Sequence, residues 1–128
     1  MQTVQPTSNV KETSRLISSE KVSGSKVENT GGDNLGHIAE IMIDKISGRV
    51  GYAVLNYGSF LGMGGRLFAL PWELLKYDTK RDAYIVSIPE ERLKNAPSFD
   101  ANAWPDMGER AFGKEINDDY GTAGDGLL

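Results

Sequence analysis

The chain has 128 residues, room for one domain, and its 39% hydrophobic, 9% aromatic and 25% charged side chains give the balance of a globular protein. With no cysteine and a single histidine, His37, it excludes disulfides, thiolate metal sites, cysteine nucleophiles and multi-histidine metal centres. The longest uncharged stretch, residues 50–65, is broken by five glycines and falls short of the roughly 20 apolar residues that a membrane span needs.

The opening Met1-Gln2-Thr3-Val4-Gln5-Pro6 lacks a basic start followed by an apolar run, so no secretory signal is expected and the protein reads as cytoplasmic. Residues 1–17 hold few large apolar side chains and are expected to form a flexible arm. Ser18 or Ser19 can cap one helical turn through Val22, which Gly24 stops. Lys26-Val27-Glu28 follows as a short strand, ending in the turn-forming run 29–34.

Residues 35–43 and 49–55 are rich in β-branched and aromatic side chains and are joined by Asp44-Lys45-Ile46-Ser47-Gly48, where Gly48 suits a left-handed residue. This pattern predicts an antiparallel hairpin. Apolar residues lie on both sides of its first strand, with Leu35, Ala39, Ile41 and Ile43 on one side and Ile38 and Met42 on the other. That fits a curled, closed sheet or a covered outer face.

A glycine-dense connector over 56–66 leads to a strand at 67–70, which Pro71 interrupts because proline cannot donate to a ladder. Residues 72–78 and 83–88 predict a second hairpin around Thr79-Lys80-Arg81-Asp82. Pro89, followed by Glu90 and Glu91, opens a short helix through Leu93 that Ala96-Pro97 ends. Several short strands within about 80 residues predict an all-β fold, a small closed or nearly closed antiparallel β-barrel of about six strands with a short helical turn before it and a short helix after it.

The run Lys26-Val27, Leu35-Gly36-His37-Ile38, Ile43-Asp44 and Ser47-Gly48-Arg49-Val50-Gly51-Tyr52-Ala53-Val54-Leu55 resembles the PRC-barrel family. So does its sequel, residues 58–66 followed by Ala69-Leu70-Pro71-Trp72. The resemblance covers residues 18–97. The family is named for the cytoplasmic barrel of the photosynthetic reaction-centre H subunit and includes the C-terminal domain of a bacterial ribosome-maturation factor and many free-standing bacterial proteins. It implies a barrel of about six strands that binds other macromolecules and does no chemistry of its own. Neither named partner carries over, since this sequence shows neither a transmembrane anchor nor the maturation factor's N-terminal domain.

Residues 18–97 balance ten basic against ten acidic side chains, whereas residues 98–128 hold two against seven. Interspersed signs and an acidic end give no clustered Lys/Arg footprint for nucleic acid. The glycine loop lacks the Lys-Ser/Thr pair and following helix of a phosphate loop, so its glycines read as a tight barrel corner. His37 reads as a surface or boundary residue. Asp44, Asp78 and Asp82 fall in or beside turns, where aspartate bonds local backbone. Neither Glu90-Glu91 nor Asp118-Asp119 forms a general acid–base pair without an enclosing pocket. No catalytic residue, metal or cofactor is expected.

Phe60, Leu61 and Met63 on the glycine loop can form an exposed apolar knob. The extension 98–128, acidic and expected to be partly disordered, contains Phe99, Trp104, Phe112 and Tyr120, and Phe99 and Trp104 are expected to dock on a barrel. The protein-facing or dimer surface is therefore assigned to Tyr57, Phe60, Leu61, Met63, Arg66, Trp72, Phe99 and Trp104. The expected function is a non-enzymatic adaptor, a homodimer with an unidentified protein partner. Two alternatives stand beside it: a small-ligand-binding barrel and, by family analogy alone, a peripheral helper of a membrane electron-transfer complex.

Overall fold

A computed structural model describes residues 11–13, 15–58 and 66–122. The expectations for residues 1–10, for Phe60, Leu61 and Met63, and for 123–128 fall outside these. In chain order the elements are α1 (Ser19–Val22), β1 (Lys26–Asn29), β2 (Asn34–Ile43), β3 (Val50–Tyr57), β4 (Arg66–Pro71), a 3-10 turn (Trp72–Leu74), β5 (Leu75–Asp78), β6 (Ala83–Val86), α2 (Glu90–Lys94) and α3 (Arg110–Tyr120). Local chemistry accounts for their ends. Ser18 caps α1 by accepting the Glu20 N–H at 3.2 Å, and the stop that follows uses Gly24 at φ +91°.

The six strands make one sheet in the order β4-β3-β2-β1-β6-β5. Both expected hairpins are present. β2 and β3 pair with Ile38 opposite Leu55 and Ile43 opposite Val50, and β5 and β6 pair with Tyr77 opposite Tyr84. The expected closed or nearly closed antiparallel barrel needs two corrections. β1 runs antiparallel to β2 but parallel to β6. The sheet also curls into an open half-barrel: β4 and β5 are its two margins and do not pair. The reason lies at their junction, where Pro71 has no N–H to give and Trp72–Leu74 turns back on itself, the Leu75 N–H bonding the Trp72 carbonyl. Trp72 thus stands in a corner, not in the strand expected from residue 72.

Side chains of Val27, Ile38, Leu55, Phe68, Leu70 and Val86 are buried in the core. In β3, however, Tyr52 through Leu55 are all buried, and in β4 so are Leu67 through Pro71, so both faces of these strands are covered. The second cover comes from the end of the chain. Phe99 exchanges two backbone hydrogen bonds with Leu67 at 2.9 and 3.0 Å, α3 lies against β4, and the Phe112 ring meets Tyr52 edge-on at 5.8 Å.

Helix α3 has no counterpart in the sequence reading. Its apolar residues Phe112, Ile116 and Tyr120 recur every fourth position, which makes one narrow stripe, and Ile116 and Tyr120 are buried in the core. Gly121, at φ +68°, closes it in the left-handed conformation. The helix starts at Glu109 without a side-chain cap, so the usual start signal is missing. Among the described residues no helix is long and apolar enough to cross a membrane.

Candidate interaction surface

Tyr57 and Arg66 face each other across β3 and β4, at the end where loop 59–65 leaves and returns. A cationic side chain beginning an edge strand has its donors free to reach past the sheet, and here they tie down the chain's end. The Arg66 Nε and one terminal nitrogen donate to Ser98 Oγ at 3.1 and 2.7 Å, and the other donates to Asp100 Oδ1 at 3.2 Å. Between these two partners Phe99 is bonded to Leu67. The Phe99 ring then carries Trp104, centroid to centroid 5.0 Å at 61°, and Trp104 keeps 40% of its surface in solvent.

Tyr57 is engaged inside the fold. Its ring meets Phe68 edge-on at 5.8 Å, and its hydroxyl donates to Glu90 Oε2 at 2.6 Å. Burial, then the bond to Glu90, push that hydroxyl up to about 12. Trp72 sits away from this group, at the Pro71 end of β4, where it packs on Tyr84 at 5.6 Å. Tyr84 in turn meets Tyr77 at 5.3 Å.

Of the residues assigned from sequence, the fold thus gathers Tyr57, Arg66, Phe99 and Trp104 at one end and leaves Trp72 in a separate aromatic row. Ser98 and Asp100, which hold Arg66, were not foreseen, since nothing local in the sequence joins positions 32 and 34 residues apart.

The remaining polar candidates have structural partners. Asp44 accepts the backbone N–H groups of Ile46 and Ser47, and these bonds hold its carboxyl below the ordinary value. Asp78 does the same with Lys80 and Arg81. Asp82 departs from the expectation: its carboxylate takes the Tyr77 hydroxyl at 2.6 Å rather than local backbone. Asp118 pairs with Lys114 at 2.7 Å. His37 is half-buried, opposite Asn56. Among the described residues no three His, Asp or Glu side chains gather as a metal site.

Fold and site together define a small, half-open β-barrel whose surface features are aromatic and ionic anchors. The family model of the PRC-barrel domain matches residues 15–93, more than half of the chain. The chain belongs to the PRC-barrel domain family, small β-barrels that often serve as interaction modules. Comparison with curated protein sequences returns no match.

Proposed function

We propose that the protein is a non-enzymatic interaction module that acts as a homodimer and holds a further protein partner, with Trp104 at the centre of its contact surface. The observation that supports this reading is the mounting of Trp104. A large ring, 40% exposed, rests on Phe99, which is pinned by two backbone bonds and flanked by two groups that Arg66 holds. An aromatic anchor already fixed in place loses little freedom on binding, and tryptophans of this kind carry much of the energy of protein interfaces. Gly58 and Arg66, the described residues on either side of loop 59–65, stand at the same end of β3 and β4.

Sedimentation equilibrium of the full chain tests the proposal. A dimer is expected, and Trp104→Ala should weaken it by about tenfold or more while far-UV circular dichroism stays unchanged. A monomeric wild-type chain, or a dimer indifferent to Trp104→Ala, would overturn the reading.

A further inference from the structure

The tip of the β2–β3 hairpin presents an apolar group that no fold requirement explains. Ile46 is 98% exposed at the apex, Ile43 is 48% exposed and Met42 37% exposed just below it. The turn itself is rigid. Asp44 Oδ1 accepts the N–H groups of Ile46 (2.8 Å) and Ser47 (3.3 Å), and Ser47 Oγ accepts that of Arg49 at 3.1 Å. The Gly48 N–H bonds the Asp44 carbonyl and the Asp44 N–H bonds the Arg49 carbonyl, both at 2.8 Å. Five backbone donors of the tip are therefore satisfied within it. A loop of this kind can enter a medium poor in water without stranding those polar groups, the chief cost of bringing backbone there. Beside the isoleucines stand Lys45 and Arg49, both exposed.

We propose that this tip docks on an anionic lipid surface, with Ile46, Ile43 and Met42 entering the acyl boundary and Lys45 and Arg49 meeting the headgroup phosphates. Apolar insertion supplemented by one or two cations is the chemistry of reversible surface binding. A protein partner fits less well, because three side chains fall short of the ~800 Å² per partner in a standard interface. A symmetric contact with a second copy would set the same cations against each other. Glu40, exposed two residues back from Met42, marks how far the tip can enter.

Asp44 offsets part of the charge of Lys45 and Arg49 and leaves residues 44–49 with one net positive charge, and the Asp118–Asp119 pair lies far from it. Asp118 and Asp119 lie at the end of α3, where Arg92 of α2 donates to the Asp119 carbonyl, and α2 is joined through Glu90 to Tyr57. Tyr57 and Val50 are the two ends of β3, about 23 Å apart at ~3.3 Å per residue, well over the ~8 Å screening length at physiological salt. The tip is thus at the opposite end of β3 from the Trp104 surface and does not depend on it.

The absence of native cysteine lets one thiol report the contact. The full chain carrying Ile46→Cys is labelled with an environment-sensitive fluorophore and mixed with vesicles of equal parts phosphatidylcholine and phosphatidylglycerol at low salt. A blue shift is expected, absent with pure phosphatidylcholine and reversed by high salt. The same label at Lys80→Cys, on the other hairpin tip, should show none. Unlabelled chain should co-sediment with the anionic vesicles, and Ile46→Asp should weaken this about tenfold or more with an unchanged melting curve. No shift at position 46, an equal shift at position 80, or co-sedimentation indifferent to Ile46→Asp would each overturn the proposal. So would a change in oligomer mass with Ile46→Asp in the absence of lipid, which would make the tip a protein interface.

Discussion

The two hairpins of the sheet close with the same device and present different chemistry. Residues 44–48 and 78–82 each start with an aspartate whose Oδ1 takes the N–H groups two and three positions on. Each has its fifth residue in the left-handed region, Gly48 at φ +81° and Asp82 at φ +51°. The difference lies in what occupies the middle. The second turn carries Lys80 and Arg81, and Arg81 pairs with Glu28 at 3.6 Å and with Asp78 at 4.0 Å. The first turn carries Ile46, almost wholly exposed. Turn geometry is thus set by the aspartate and the left-handed residue, while the apex residue is left to function.

The fifth position should separate the hairpins most. Gly48→Ala forces a side chain into left-handed backbone and is expected to cost about 1–2 kcal/mol, read as a lower denaturation midpoint. Asp82→Gly relieves the same strain but removes the acceptor of the Tyr77 hydroxyl, so its effect should be under half as large. Equal losses in the two variants would break the parallel.

Acid should probe the shared aspartates. Both carboxyls lie below the ordinary 3.8 because backbone N–H groups bond the charged form. Their stabilisation is therefore present above the unfolded value and fades as pH falls through the folded one. Asp44→Asn and Asp78→Asn are each expected to flatten the decline in melting temperature below about pH 4. A decline as steep as in the wild type would refute the assignment for that turn.

At high pH the second turn responds through Tyr77. The bond to Asp82, and then burial, push the Tyr77 hydroxyl up to about 12, so the stability it contributes is intact below pH 10 and lost as pH rises through about 12. Ultraviolet titration of Asp82→Ala should return one tyrosinate step towards 10. The smallest effect is expected at the first apex, where Ile46→Ser should leave stability within about 0.5 kcal/mol of wild type. A larger loss would mean that Ile46 serves the fold.

Hairpins, the helical turn after Ser18 and the helix after Pro89 could be read from sequence because each depends on neighbours in the chain. The parallel pairing of β1 with β6 could not, since Val27 and Tyr84 meet through register between distant strands. Trp72 looked like a strand residue because tryptophan favours strands, yet the preceding proline turned the chain there. Tyr57, Arg66, Phe99 and Trp104 are each legible in the sequence as large or charged groups near glycines or prolines. That they share one end of the molecule follows only from the Leu67–Phe99 pairing. Ile46 stands out in the sequence as an isoleucine inside an otherwise polar turn.

Phe99 clasps Leu67 from outside the stretch that matches the family model. Residues 15–93 carry the common pattern, but a chain cut at 93 would lose the Phe99 bonds to the outer margin of β4 and the Phe112 ring against Tyr52. Such a fragment would offer a raw strand to any neighbour. The tail after the barrel therefore covers the barrel's own last edge.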